Sequence, residues 1–145
     1  MLEVTVDKFI FRVPETLLFS VDGIWVALEG TLARLGLSDF GQQVNGDIAF
    51  ADVEAAGTEL RAGDEFGSIE TVKVNLSLPS PVAGRIAEVN PLLETSPEAI
   101  NQDPYGKGWM VVMELLDWEK DRSSLLDAPR YLVRVKERAE AELMK

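Results

Sequence analysis

The fold is decided by one alternating segment, Glu70-Thr71-Val72-Lys73-Val74-Asn75-Leu76-Ser77-Leu78. Apolar residues occupy every second position from Val72 to Leu78, and polar residues lie between them. Alternation with a period of two predicts a half-buried strand or hairpin. Lys73 falls on the polar face and is the only charged residue from Thr71 through Gly84. We therefore expect a free amine on a rigid strand, which suits covalent attachment better than acid–base chemistry. An ordinary surface lysine is the alternative.

Short strands with turn signals between them are predicted on both sides of this segment. Gly and Asp residues at Ala56-Gly57, Gly63-Asp64 and Gly84 mark the turns. Strands at this spacing favour a mainly β fold, a flattened barrel or a sandwich of two small sheets. The predicted strands are Phe9 to Val13, Leu18 to Leu28 (a hairpin turning at Asp22-Gly23), Thr31 to Leu37, Ile48 to Val53, Glu65 to Lys73, Val74 to Leu78, Arg85 to Val89 and Trp109 to Leu115.

The chain's helices are predicted to be few. Ser38 is a good N-cap for a short helix over residues 39–44. A helical turn is expected over residues 97–101. The tail, residues 127–145, is predicted to be a C-terminal helix with Asp127 as N-cap and an apolar stripe at Leu132, Val135, Ala139 and Leu143. Residues 1–14 are expected to add an N-terminal extension strand, and residues 1–145 to form a single domain.

The composition argues against an enzyme. The chain has no cysteine and no histidine, so a disulfide, a thiolate nucleophile and the usual acid–base group at neutral pH are all missing. No pair of carboxylates stands out as a catalytic pair. We therefore predict neither catalytic residues nor a metal site, and a non-catalytic protein.

The net charge of −11 lies wholly in residues 1–114, since the remaining tail holds equal numbers of basic and acidic residues. An acidic body disfavours nucleic acid, which requires a basic footprint. It would speed encounter with basic enzyme surfaces, although solubility alone is an equally good explanation. Residues 1–14 lack the apolar run of a signal peptide, and no stretch approaches the roughly 20 apolar residues of a membrane span. The sequence thus predicts a cytoplasmic protein without membrane contact.

Several motifs together resemble the glycine cleavage system H protein family, the lipoyl carrier of that complex. The stretch Phe66 to Lys73 is similar to the family's lipoylation segment, in which a glutamate precedes the modified lysine by three positions. The turn Ser80-Pro81-Val82-Ala83-Gly84 follows where the family has it. The resemblance runs from about residue 17 to about residue 132 and also includes Trp25, Gly36 to Gln42, Gly46 to Phe50, Val89 to Glu94 and Pro97 to Trp109.

The resemblance implies a lipoyl/biotinyl-type fold with lipoate attached covalently to Lys73. It gives Glu70 a role in presenting the hairpin to a lipoate ligase or lipoyltransferase, with simple solvation of the hairpin as the alternative. The implied partners in glycine cleavage are glycine decarboxylase, an aminomethyltransferase and dihydrolipoamide dehydrogenase. The acidic connection from Asn90 to Asp103 would lie beside the lipoyl arm, as a docking or shielding surface or as a plain surface loop.

Departures from the family pattern keep other functions open. Gly23 and Ile24 replace the common His-Glu before the tryptophan, and Val74 replaces a small residue after the lysine. They motivate an H-like lipoyl carrier for another pathway, such as sulfur compound oxidation or a lipoyl relay. A biotin carrier would usually flank its lysine with methionines, whereas Val72 and Val74 stand here. An unmodified interaction module with the same fold is a further alternative.

Overall fold

The computed structural model describes residues 1–143, which form mainly β-structure. The predicted class, β-rich with short helices and a C-terminal helix, is confirmed. The strands are β1 (Leu2–Val6), β2 (Phe9–Val13), β3 (Leu18–Phe19), β4 (Ile24–Glu29), β5 (Leu32–Leu37), β6 (Ile48–Val53), β7 (Glu59–Leu60), β8 (Glu65–Thr71), β9 (Asn75–Pro79), β10 (Gly84–Val89) and β11 (Val111–Leu115). The helices are α1 (Asp39–Asn45), α2 (Leu92–Thr95), α3 (Ala99–Gln102), α4 (Trp118–Asp121) and α5 (Ala128–Leu143), with a 3₁₀ turn at Arg122–Ser124.

Two sheets enclose the main core. A six-stranded sheet has the order β3-β4-β5-β11-β10-β7, and a three-stranded sheet has the order β6-β8-β9. Both contribute to one buried apolar cluster, because side chains such as Leu35 and Met113 from the first sheet pack with Phe66 and Ile69 from the second. Within residues 1–143 the sheets stay open and do not close into a barrel, so the sandwich alternative describes the molecule.

The N-terminal extension is a hairpin and not the single strand that we predicted. β1 and β2 pair antiparallel, from Leu2 opposite Val13 to Val6 opposite Phe9. Asp7 lies in the turn with a φ of 56°, a conformation that aspartate tolerates better than most residues. The first strand was missed although Leu2, Val4 and Val6 alternate, because a polar turn residue follows it directly.

Helix α5 covers this hairpin and closes a second core. Asp127 caps it as predicted, since the backbone N–H of Arg130 donates to Asp127 Oδ1 at 3.1 Å. The predicted stripe is right at Val135 and Ala139, which are buried, but Leu132 is only half-buried, and Tyr131, which lay outside the predicted stripe, is fully buried. The cluster includes Val6, Phe11, Val13, Phe19, Trp25, Tyr131, Val135 and Ala139. Residues 144 and 145 of the predicted helix lie outside the described residues.

The hairpin is also fastened to the start of α1 by polar contacts. The backbone N–H of Arg12 donates to Asp39 Oδ2 at 2.9 Å. The Tyr105 hydroxyl donates to the carbonyl of Arg12 at 2.6 Å and accepts from the backbone N–H of Asp39 at 3.0 Å. Burial raises the pKa of Tyr105 well above its ordinary value, so this hydroxyl stays protonated and able to donate. Strand β2 and α1 are therefore held in one arrangement.

A buried pair of hydroxyls joins helix α5 to the N-cap of α1. Ser38 caps α1 as predicted, because its Oγ accepts from the backbone N–H of Gly41 at 3.1 Å. The same Oγ lies 2.7 Å from the Tyr131 hydroxyl. Burial raises the pKa of Tyr131 to about 12, while its hydrogen bond to Ser38 acts in the opposite direction. The neutral phenol thus joins the second core to the helix that leads into β6.

We predict that replacing Tyr131 by phenylalanine changes how stability depends on alkaline pH. The folded pKa of about 12 lies above the value of about 10 for a free tyrosine. The stability from the neutral phenol is therefore fully present below pH 10 and is lost as the pH rises through about 12. At pH 8, Tyr131→Phe should lower the free energy of unfolding by about 1 kcal/mol through the lost hydrogen bond.

Urea unfolding of both proteins between pH 8 and pH 12 measures this effect. The stability difference between wild type and variant should shrink as the pH rises from about 10 to about 12, since only wild type loses this contribution. Tyr105 is retained in both proteins and cancels in the comparison. A difference that stays constant over this range would contradict the prediction.

Candidate functional site

Lys73 lies at the tip of the β8–β9 hairpin and not within a strand. Strand β8 ends at Thr71 and β9 begins at Asn75, so the predicted strand boundary at Lys73 is wrong. The alternation fails at the same place, because Val72 is 97% exposed instead of buried. Lys73 is exposed because it belongs to the turn. The structure therefore presents the lysine on the projecting end of the hairpin.

Thr71 builds this turn with its side chain. Its Oγ1 accepts hydrogen bonds from the backbone N–H groups of Lys73 and Val74, both at 3.1 Å. Its own N–H donates to the carbonyl of Val74 at 2.9 Å. We missed Thr71 from the sequence, although threonine is known to bond backbone groups two and three residues further on. The turn is thus closed on both sides of the lysine.

The Lys73 amine is engaged and not free as we expected. Its Nζ donates to the carbonyl oxygen of Val44 at 2.9 Å. Val44 lies in the last turn of α1, where unsatisfied carbonyl groups carry partial negative charge and attract a cation. Gly46, with a φ of 88°, caps this helix, and a Cβ at that position would lie 3.7 Å from Lys73 Cδ. The lysine side chain therefore lies across the end of α1.

The acidic connection fixes the end of α1 on which Lys73 lies. This connection forms α2 and α3 and is more ordered than the single helical turn that we predicted. Asn101 Nδ2 donates to the carbonyl of Gly46 and to Gln42 Oε1, both at 3.0 Å, and its Oδ1 accepts from the backbone N–H of Ile48 at 2.9 Å. One amide thus joins α3, α1 and β6. This role of Asn101 could not be predicted from the sequence.

A cleft of about 230 Å³ opens beside the hairpin, between α1, β9 and α5. Its lining residues include Gly23, Val44, Leu76, Ser77, Tyr131 and Arg134. Gly23 has a φ of 88°, and a Cβ there would lie 3.1 Å from the Tyr131 hydroxyl. Ile24 is fully buried. Gly23 and Ile24, which depart from the family pattern before Trp25, therefore fit their surroundings. A larger residue at position 23 would crowd the Tyr131 hydroxyl, and a charged residue at position 24 would be buried at a high cost in free energy.

Glu70 lies on the other side of the hairpin from this cleft. It is exposed near the end of β8, opposite Phe50 of β6 and Asn75 of β9. Within residues 1–143, neither a hydrogen bond nor an ion pair joins Glu70 to Lys73. The structure brings both residues to the same hairpin but not into contact.

Residues 1–143 hold no group of three or more Asp or Glu side chains that could bind a metal ion. Among those same residues, no helix is both long and apolar enough to cross a membrane. Among the described residues, the lysine exposed on its side-chain-closed turn is therefore the candidate functional group.

Comparison with known proteins agrees with this architecture. The family model described as glycine cleavage H-protein matches residues 17–138. A glycine cleavage system H protein from Bacteroides fragilis is 42% identical over 118 residues, covering 81% of this chain and 93% of the relative. One from Oceanobacillus iheyensis is 44% identical with the same coverage. The crystal structure of a glycine cleavage system H protein from Mycobacterium marinum superposes with a TM-score of 0.73 at 26% identity, covering 84% of this chain and 98% of that one.

The chain belongs to the glycine cleavage H-protein family. The resemblance noted in its motifs is thereby confirmed, and so is the prediction that it is a carrier component and not itself a catalyst. The family carries lipoate. The β1–β2 hairpin precedes the matched residues.

We predict that Thr71→Val loosens the turn that carries Lys73. Valine keeps the branched shape but cannot accept the two backbone hydrogen bonds, so the free energy of unfolding should fall by about 1–2 kcal/mol. Amide hydrogen exchange at Lys73 and Val74 should become faster. Thr71→Ser retains the hydroxyl and is the matched control, with exchange close to wild type. Unchanged exchange in Thr71→Val would show that the hydroxyl does not hold the turn.

Proposed function

We propose that this chain carries a lipoyl group on Lys73 and shuttles an aminomethyl group and reducing equivalents between the enzymes of the glycine cleavage system. The observation that carries this proposal is the position of Lys73, exposed on a turn that Thr71 closes, within a chain of the H-protein family. The proposed partners are glycine decarboxylase, an aminomethyltransferase and dihydrolipoamide dehydrogenase, with a lipoate ligase or lipoyltransferase for loading.

The loading step forms an amide on Lys73 Nζ. A ligase would first join the lipoate carboxylate to AMP, with release of pyrophosphate from ATP. The neutral amine would then attack the carbonyl carbon, AMP would leave, and the amine would release one proton to solvent. In the structure Nζ donates to the carbonyl of Val44, and loss of a proton weakens that contact, which frees the amine to reach the ligase. The product carries a single N–H and no charge, which weakens any return to that carbonyl.

The surroundings of Lys73 fit such a group. The cleft beside the hairpin contains apolar side chains, such as Phe40 and Leu76, along which a long acyl chain could lie. When bound, the lipoyl group would supply the disulfide and dithiol chemistry that accepts the aminomethyl group during decarboxylation, yields it to the transferase and is reoxidised by the dehydrogenase. The protein itself supplies position and effective concentration at each partner.

Glu70 and the overall charge would act before any chemistry occurs. We assign Glu70 the role of presenting the hairpin to the lipoylating enzyme, because it is exposed one pair below the turn. The net charge of −11 would steer the carrier toward basic partner surfaces. Screening by salt should then slow each encounter, since it sets in over about 10 Å at 0.1 M.

A second candidate is an H-like lipoyl carrier that serves another pathway, such as sulfur compound oxidation or lipoyl relay. The packing of Gly23 and Ile24, the two residues that differ from the family pattern, favours this candidate. Gly23 lies against the Tyr131 hydroxyl in the cleft beside Lys73, and Ile24 is buried. Neither position can present a carboxylate to a cationic group on the arm. Loading at Lys73 is common to both candidates, which differ only in the enzymes served.

We predict that protein incubated with lipoate, ATP and a lipoate ligase gains the mass of one lipoyl group, located at Lys73 by peptide mapping. Lys73→Arg should fold normally and gain none, because a guanidinium stays protonated and cannot form the amide. Lys73 is exposed, so the change in stability should lie within about 0.5 kcal/mol. Label on Lys8, on Lys107 or on none of the lysines would contradict the assignment.

We predict that the lipoylated protein supports exchange of bicarbonate with the carboxyl group of glycine when mixed with glycine decarboxylase. The rate should fall as salt is added, because encounter depends on the acidic body. Unmodified protein is the control. If the lipoylated protein is reduced by dihydrolipoamide dehydrogenase and NADH but supports no exchange with decarboxylases from several sources, the carrier of another pathway takes first place.

A further inference from the structure

The three-stranded sheet leaves one face open to solvent. Its strands place two rows of side chains there, because residues two apart on a strand share a face. One row runs Phe50–Glu70–Asn75, and the other runs Asp52–Ser68–Ser77. The opposite face of this sheet supplies Ile69 and Leu78 to the main core. We call these six residues, together with Glu94 at their margin, the open face.

Phe50 stands out on the open face because 65% of its surface is exposed. A single exposed apolar residue is common and proves nothing by itself. Here, however, three carboxylates surround it: Asp52, Glu70 and Glu94 line the same depression. Among the described residues that line this depression, none is lysine or arginine. An aromatic side chain within a polar, charged ring is the pattern of an interface anchor.

The open face is continuous with the turn that carries Lys73. The pair Glu70–Asn75 is the last in the β8–β9 ladder before the turn. Neighbouring strands lie about 4.8 Å apart, so Phe50, Glu70 and Asn75 span about 10 Å across the sheet. The Glu70–Asn75 end of this row is therefore next to the turn that a partner must approach to reach Lys73.

The kind of partner follows from where its chemistry occurs. Enzymes that act on the far end of a lipoyl arm can work at the distance the arm allows. The enzyme that forms the amide must bring its active site to Nζ itself, so its surface must cover residues next to the turn. Its surface should offer lysine or arginine to the three carboxylates and an apolar pocket to Phe50.

We propose that the open face is the docking surface for the lipoylating enzyme, with Phe50 as the anchor and Asp52 and Glu94 as charge partners. This rests on the proposed loading of Lys73 and extends recognition to residues some twenty positions away in the sequence on either side. Docking involves no bond change, so the amide-forming step stays as described above.

Steady-state kinetics with a purified lipoate ligase, lipoate and ATP test this proposal, with the carrier as the varied substrate and mass spectrometry as the readout. Phe50→Thr and Asp52→Lys should each raise the KM for the carrier about tenfold while kcat changes little, as loss of an interface anchor predicts. Leu116→Ser, between β11 and α4, and Glu137→Lys, on α5, are matched controls at exposed positions away from the open face, and their KM should stay within about twofold of wild type. Added salt should raise the KM of wild type more steeply than that of Asp52→Lys.

A second measurement separates docking from damage to the turn. A small acetylating reagent should modify Lys73 at the same rate in wild type, Phe50→Thr, Asp52→Lys and Asp52→Asn, since it needs no docking. Unchanged KM in Phe50→Thr and Asp52→Lys overturns the docking surface while leaving loading at Lys73 intact. Equal slowing of acetylation and lipoylation also overturns it, in favour of a structural role. A wild-type protein that gains no lipoyl group refutes the proposed function itself.

Discussion

The hydroxyl of Ser38 is the contact on which the arrangement of the whole molecule depends. It caps α1 by accepting from Gly41 and also meets the hydroxyl of Tyr131 from α5. Both partners are buried, which limits how readily solvent can replace either bond. A buried donor or acceptor without a partner lowers the free energy of unfolding. These two hydrogen bonds therefore hold the two cores in one relative arrangement.

The C-terminal end of α1 in turn fixes the position of Lys73. Asn101 fixes Gly46 from the side of α3, and Lys73 lies against the carbonyl of Val44. Lys73 thus rests on a helix whose start is held by α5 and whose end is held by the acidic connection. Thr71 completes the arrangement from the hairpin side. Each of these contacts satisfies a backbone group with a side chain, which gives a small site its rigidity without a large core around it.

The sequence was most informative where a local pattern and burial agree. Alternation and turn residues predicted most strands, and Ser38 and Asp127 predicted two helix starts, because capping depends on neighbouring backbone groups alone. The pattern failed at Val72, where the hydroxyl of Thr71 competes with the strand ladder for backbone hydrogen bonds. On α5 it identified Val135 and Ala139 but not Tyr131, whose hydroxyl meets Ser38 only in the folded structure.

The candidate site was only partly predictable for the same reason. Lys73 and Glu70 stand out through a motif, which is a property of adjacent positions. Val44 and Asn101 contribute through a backbone carbonyl and a side-chain amide, 29 and 28 positions away from Lys73. Neither residue type is distinctive, and the contact exists only once α1, α3 and the hairpin have packed. Such supporting residues require the folded structure to be recognised.

The packing of β1 and β2 on α5 also constrains the order in which the chain can fold as it is synthesised. Strand β2 emerges from the ribosome well before α5, and nearly all of the main core lies between them in the sequence. The sandwich can therefore assemble while Phe11 and Val13 still lack the helix that buries them. Contacts between elements so far apart form late and slowly. Until they form, the apolar side of the hairpin stays exposed, and exposed apolar surface of this kind favours aggregation.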